Sequence, residues 1–137
     1  MKHIIFQGPR DSGKTVQAIK LTRILFEAHE KITVDAVGNK NLKKYLTLIH
    51  DGIKAIIIEE NASLKAIEEI VSYVDGFFFS MDIDYMLIFT TQADCSAADG
   101  GKFRVLQCSY NAVREEYLIE PLTVNEKAPG TEPPAAP

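Results

Sequence analysis

Cysteine is scarce in this chain of 137 residues: Cys95 and Cys108 are the only two. Such a pair cannot build a zinc site alone and does not look like a disulfide framework, which points to a reducing compartment. Long apolar runs are missing too. No stretch approaches the roughly 18 apolar residues of a membrane span. The N-terminus reaches Gly8-Pro9 too early for a signal peptide. A basic excess is absent: 15 Lys and Arg against 19 Asp and Glu leave a formal charge of −4. That balance argues against a strongly basic nucleic-acid surface, though not against a local patch. The expectation is a cytoplasmic protein with no membrane contact. Proline is rare outside one segment, because four of the six lie within residues 125–137. That segment has too little apolar area to offset its ordering entropy, so it reads as a disordered tail or, alternatively, a proline-rich docking segment. One domain over residues 1–124 remains.

What is present alternates between strand and helix patterns. Lys2–Phe6 reads as a short buried strand. Gly13–His29 reads as a helix whose Val16, Ile19, Leu21, Ile24, Leu25 and Phe26 cover much of its surface, so it is expected to lie beneath a sheet. Ile32–Val37 is a second strand, and Leu42–Ile49 a helix closed by Asp51-Gly52. Ala55–Ile58 is continuously apolar, as a strand covered on both faces should be. Ser63 is placed to cap a helix with Leu64, Ile67, Ile70, Val71 and Val74 on one face and Gly76 as its stop. Tyr85–Thr90 is a fourth strand. After a polar, glycine-rich loop over Ala93–Lys102, Phe103–Cys108 and Glu116–Ile119 close the pattern around a turn near Asn111. The order implies an α/β domain with a mainly parallel sheet and a ligand site at the carboxyl ends of its strands.

The most specific feature is Gly8-Pro9-Arg10-Asp11-Ser12-Gly13-Lys14-Thr15, which matches G-x-x-x-x-G-K-[ST] between a predicted strand and a predicted helix. The glycines let the backbone curl until successive N–H groups converge on an anion, and the helix adds its N-terminal partial charge. Lys14 would reach the β- and γ-phosphates, and the Thr15 hydroxyl would ligate Mg²⁺.

On these residues the chain resembles P-loop NTPases, with the loop as Walker A, and in particular ATPases of the additional-strand, catalytic-glutamate type. The resemblance implies a three-layer α/β/α fold with a mainly parallel sheet of five to six strands in the order 5-1-4-3-2. It implies ATP or another nucleoside triphosphate, with Mg²⁺, held by Gly8, Pro9, Arg10, Asp11, Ser12, Gly13, Lys14, Thr15 and Val16. Ala55-Ile56-Ile57-Ile58-Glu59-Glu60 resembles Walker B. By position Glu59 would serve the metal beside Thr15, and Glu60 would be the general base. Where the family usually has Asp, Glu59 is one methylene longer, so the division of labour between Glu59 and Glu60 stays open, as does a plain solvated strand end. Lys14, Glu60 and Gln92 form the expected catalytic set, with Gln92, or else Thr91, sensing the γ-phosphate at the end of Leu87–Gln92.

Weaker signals surround this set. Asp35 interrupts an apolar strand and either approaches the nucleotide site, pairs with a nearby Lys or faces solvent on an edge. Arg104 and Arg114 are candidate arginine fingers toward a neighbouring subunit. Tyr110 and Asn111 are candidates for contact with a base. Phe77-Phe78-Phe79 reads as core or, if exposed, as an assembly surface. Both cysteines read as small core residues. His3, His29 and His50 lack ligand spacing, and Lys40, Lys43 and Lys44 look like a solvated helix face. The expected activity is Mg²⁺-dependent hydrolysis of ATP, in a homo-oligomer or with a partner protein. A phage or mobile-element DNA process enters by resemblance alone. Two alternatives accompany it: a nucleoside-type kinase resembling thymidine kinases, whose zinc cysteines and substrate lasso have no counterpart here, and a non-hydrolysing nucleotide-binding assembly protein.

Overall fold

Strand residues alternate between the two faces of a central sheet, and each face has its own apolar core. The computed structural model describes residues 2–25, 32–35 and 42–122. Its strands are β1 (His3–Gln7), β2 (Ile32–Asp35), β3 (Ala55–Asn61), β4 (Met86–Thr91), β5 (Phe103–Asn111) and β6 (Glu116–Pro121). Its helices are α1 (Lys14–Leu25), α2 (Leu42–His50) and α3 (Leu64–Phe77). The strands form one six-stranded sheet in the order β2-β3-β4-β1-β5-β6. All neighbours pair in parallel except β5 and β6, which are antiparallel. The expected five-strand order did not include β6, which extends the sheet beyond β5.

Ile4, Phe6, Ala55, Ile57, Met86, Ile88 and Cys108 pack with Ala18 of α1 on one face. Ile5, Ile56, Ile58, Leu87, Phe89, Phe103 and Val105 pack on the other, against Leu46 and Ile49 of α2 and Ile67, Ile70, Val71 and Val74 of α3. This is a three-layer α/β/α arrangement, and it explains why β3 and β4 read as unbroken apolar runs. Cys95 and Cys108 are both buried, and burial pushes the Cys108 thiol up to about 11.

Several boundaries differ from the expectation. α1 fully buries Ala18 and Thr22 and packs Ile19 and Leu21 partly against the sheet, while Val16, Ile24 and Leu25 are exposed. Ser63 caps α3 as expected, its hydroxyl accepting from the Ala66 N–H at 3.1 Å. Gly76 does not stop the helix. It lies inside the last turn without the left-handed backbone of a glycine cap, and Phe78 N–H still donates to Val74. The Phe cluster divides: Phe78 is buried, whereas Phe77 and Phe79 are exposed. Asp35 closes β2 on the sheet edge, opposite Ile58. The expected ends at Phe26–His29 and Ala36-Val37, together with Lys40 and the tail 125–137, lie outside the described residues. No helix among the described residues is long and apolar enough to cross a membrane.

At the amino end of the sheet His3 is buried, and its Nδ1 accepts the Leu87 N–H at 3.0 Å. Its ring stacks on Tyr85, its Nε2 lies 4.0 Å from Asp75, and Asp75 also accepts from Tyr85 and faces Lys102. Burial holds the His3 imidazole below its ordinary 6.5, with Asp75 opposing that shift and Lys102 adding to it. A histidine with a depressed folded pKa stabilises fully above the unfolded value. That contribution is lost as pH falls from about 6.5 toward the folded pKa. Urea unfolding at pH 7.5 and 5.5 should therefore show a loss of stability on acidification that is smaller in His3→Gln. Ser63→Ala should lower stability by about 1 kcal/mol in the same assay, independently of pH.

Candidate functional site

The turn after β1 is shaped by close approach. A Cβ on Gly8 would stand 2.4 Å from the Cys108 carbonyl oxygen, so only glycine lets β1 leave the sheet this near to β5. Gly8 N–H donates to the Thr91 carbonyl at 3.1 Å, and Ser12 N–H to that of Pro9 at 3.2 Å. Asp11 and Gly13 both have positive φ, 61° and 84°. The first α-helical bond of α1 runs from Gln17 N–H to Gly13, so the N–H groups of Lys14, Thr15 and Val16 precede any intrahelical partner and are available to an anion. The Lys14 ammonium folds back onto the loop, donating to Gly8 and Pro9 carbonyls at 3.1 and 2.8 Å. Desolvation lowers its pKa, against the opposing pull of Cys108, Asp11 and Glu60.

The carboxyl end of β3 carries the second half of the site. In a regular strand Glu59 and Glu60 would point to opposite faces. The ladder with β4 shifts here: Ile58 pairs with Phe89, but Asn61 pairs with Thr91. β3 therefore holds one extra residue, a bulge, and Glu60 adopts a left-handed φ of 57°. Glu60 N–H donates to the Thr90 hydroxyl at 2.9 Å. Buried Asn61 clamps the bulge, donating through Nδ2 to the carbonyls of Ile58 and Thr90 at 2.8 and 3.0 Å, and the Thr91 hydroxyl donates to the Asn61 carbonyl at 2.7 Å. With this distortion both glutamates border one cleft.

That cleft has a volume of about 840 Å³ and is lined by residues of the turn between β1 and α1 and the start of α1, by Glu59, Glu60 and Asn61, and by Thr90, Thr91 and Gln92. The Thr15 hydroxyl donates to the Glu59 carboxylate. Both are hard oxygen donors of the type that suits Mg²⁺. No group of three or more His, Cys, Asp or Glu among the described residues would cage a metal alone, so a cation here needs phosphate oxygens and water as well.

Of the residues singled out in the sequence, Arg10, Asp11, Gly13, Lys14, Thr15, Val16, Glu59, Glu60, Thr91 and Gln92 border the cleft. Gly8 and Pro9 do not line it but accept from Lys14 through their carbonyls, and Ser12 is buried, its hydroxyl without a partner among the described residues. Arg104 lies elsewhere: it pairs in register with Ile4, at the amino end of β5. Arg114 sits in the exposed β5–β6 turn beside Glu116, at 3.6 Å. Asn111 is occupied by that turn, accepting the N–H groups of Val113 and Arg114. Three participants escaped the sequence reading: Asn61 and Thr90, which hold the bulge, and Tyr117, which lines the cleft. The two polar residues beside Glu60 and Thr91 were a usable signal; the placement of Tyr117 depends on a non-local hairpin.

No family model matches the chain, and no curated protein matches it. Among solved structures it is similar to a variant of RuvB from Thermotoga maritima, at 21% identity and a TM-score of 0.52, over 84% of this chain and 40% of that one. The chain thus spans less than half of that neighbour's length. The likeness is one of fold, a mixed α/β sheet that is mostly parallel.

The bulge gives a direct test. A left-handed non-glycine residue costs about 1 kcal/mol or more. In urea unfolding Glu60→Gly should leave the stability unchanged or raise it by under about 1 kcal/mol, where an ordinary strand position would lose stability on the same change.

Proposed function

We propose that this protein is a Mg²⁺-dependent nucleoside triphosphatase that hydrolyses ATP to ADP and phosphate. One observation supports the reading most: the bulge in β3 turns Glu60 toward the same cleft as the phosphate loop, while Glu59 meets the Thr15 hydroxyl. A phosphate cradle, a metal-suited oxygen pair and a separate carboxylate then face one volume.

Each residue has a distinct task. The free N–H groups at the start of α1 bind phosphate oxygens. Lys14 exchanges its carbonyl contacts on Gly8 and Pro9 for the β- and γ-phosphates. Thr15 and Glu59 would hold Mg²⁺, which supplies charge neutralisation on the phosphates when bound. Glu60 accepts a proton from the water that attacks the γ-phosphorus in line, the bond from phosphorus to the β–γ bridging oxygen breaks, and ADP leaves with that electron pair. Gln92, across the cleft at the end of β4, orients the water or the γ-phosphate through its amide.

Phosphate release measured for the wild type and two variants tests the assignment. Glu60→Gln should bind ATP normally and lose about 10²- to 10⁴-fold in kcat, the usual range for a positioned general base. Lys14→Ala should lose nucleotide binding itself. Wild-type turnover in Glu60→Gln would remove Glu60 from the role of base, and normal ATP affinity in Lys14→Ala would remove the phosphate-loop reading.

A further inference from the structure

One side of the cleft carries an aromatic ring, Tyr117, that has no task in hydrolysis. β5 and β6 pair with Tyr110 opposite Tyr117, which puts both side chains on one face of the hairpin. Their rings lie 5.0 Å apart at 54°. Tyr117 lines the cleft and covers Gly13: a Cβ on that glycine would stand 2.6 Å from the Tyr117 Cδ1. Gly13 is thus required twice, for its left-handed φ and for the ring that rests on it. Both tyrosines keep nearly half of their surface exposed, 46% for Tyr110 and 47% for Tyr117.

The position of this pair relative to the acids is informative. Glu59, Glu60 and Gln92 end β3 and β4, on one side of β1, whereas the tyrosines stand on β5 and β6, on the other. A triphosphate on the loop directs its reacting end toward the acids. Its nucleoside end then points toward the tyrosines. Exposed aromatic faces beside an anion cradle suit a base, since every base has a π-face to stack. A tyrosine hydroxyl both donates and accepts, so the pair does not distinguish an amino edge from a keto edge.

We propose that Tyr117, backed by Tyr110, is the base-stacking ledge of the nucleotide site, and that the site selects purine over pyrimidine nucleoside triphosphates by stacking area, taking ATP and GTP alike. This rests on the phosphate-loop reading above, and inorganic tripolyphosphate, which has no base, separates the two.

The chain has no tryptophan and five tyrosines, so its intrinsic emission reports on tyrosine. In the wild type, ATP and GTP should quench that emission beyond their own absorption, while tripolyphosphate binds without quenching. By calorimetry, Tyr117→Ala should weaken ATP and GTP about 5- to 100-fold, the range that loss of one stacked base implies. It should leave tripolyphosphate affinity unchanged, and Tyr117→Phe should bind as the wild type does. If tripolyphosphate binds but Tyr117→Ala holds ATP at wild-type affinity, or the wild type binds CTP as tightly as ATP, the ledge is overturned and the phosphate loop stands. If tripolyphosphate does not bind the wild type, the phosphate-loop reading falls and the ledge falls with it. The wild-type quench is independent of any variant's folding, and its absence with bound ATP also overturns the ledge.

Discussion

The site depends on one extra residue in β3. Parallel strands alternate their side chains, and two adjacent acids on a regular strand point to opposite faces of the sheet. The shift between Ile58 and Asn61 breaks that alternation at Glu59-Glu60. It carries a cost, since Glu60 sits in a left-handed conformation that side chains avoid. The offset is local and polar: Thr90 accepts the Glu60 N–H, Asn61 bonds both strands, and Thr91 bonds Asn61 in return. Bulges of this kind are common beside functional sites because they re-aim a side chain without moving the sheet.

The frame around the bulge is rigid for an ordinary reason. β1, β3 and β4 are buried on both faces, and their apolar residues divide cleanly between the α1 core and the α2–α3 core. That frame fixes the strand ends, and the strand ends fix the cleft. Gln7 ties the end of β1 to its surroundings: its Nε2 donates to Gln107 at 3.0 Å and Ser96 at 3.1 Å, and its carbonyl accepts the Cys95 N–H. The loop leaving β4 is therefore anchored next to Gln92. By contrast, the contacts of Lys14 among the described residues are with the Gly8 and Pro9 carbonyls, which a long side chain can leave, and desolvation already lowers its pKa.

The two ends of the sheet differ in chemistry. The carboxyl end gathers backbone N–H groups, a lysine and carboxylates around the cleft. The amino end gathers His3, Asp75, Tyr85 and Lys102 beside the exposed Phe79, around a smaller cavity of about 550 Å³. There His3, Asp75, Tyr85 and Lys102 partner one another, and His3 Nδ1 ties β1 to β4 by accepting the Leu87 N–H.

Local spacing and residue type encode much of the architecture. The alternation of elements, the apolar runs of β3 and β4, the Ser63 cap and the glycine pattern from Gly8 to Thr15 all follow from neighbours within a few positions. Helix ends were less legible, because Gly76 stops a helix only when its backbone turns left-handed, and packing of Phe78 carried α3 past it. Three features lie beyond what local spacing encodes and rest on tertiary pairing. It set which strands lie side by side, a question of non-local pairing on which periodicity is silent. It joined Thr15 to Glu59 across 44 positions of sequence. It also brought Tyr117 over Gly13, because an antiparallel hairpin on the far edge of the sheet folds back across the loop. A motif names the atoms that can bind an anion; only pairing between distant segments determines which other atoms share its cleft.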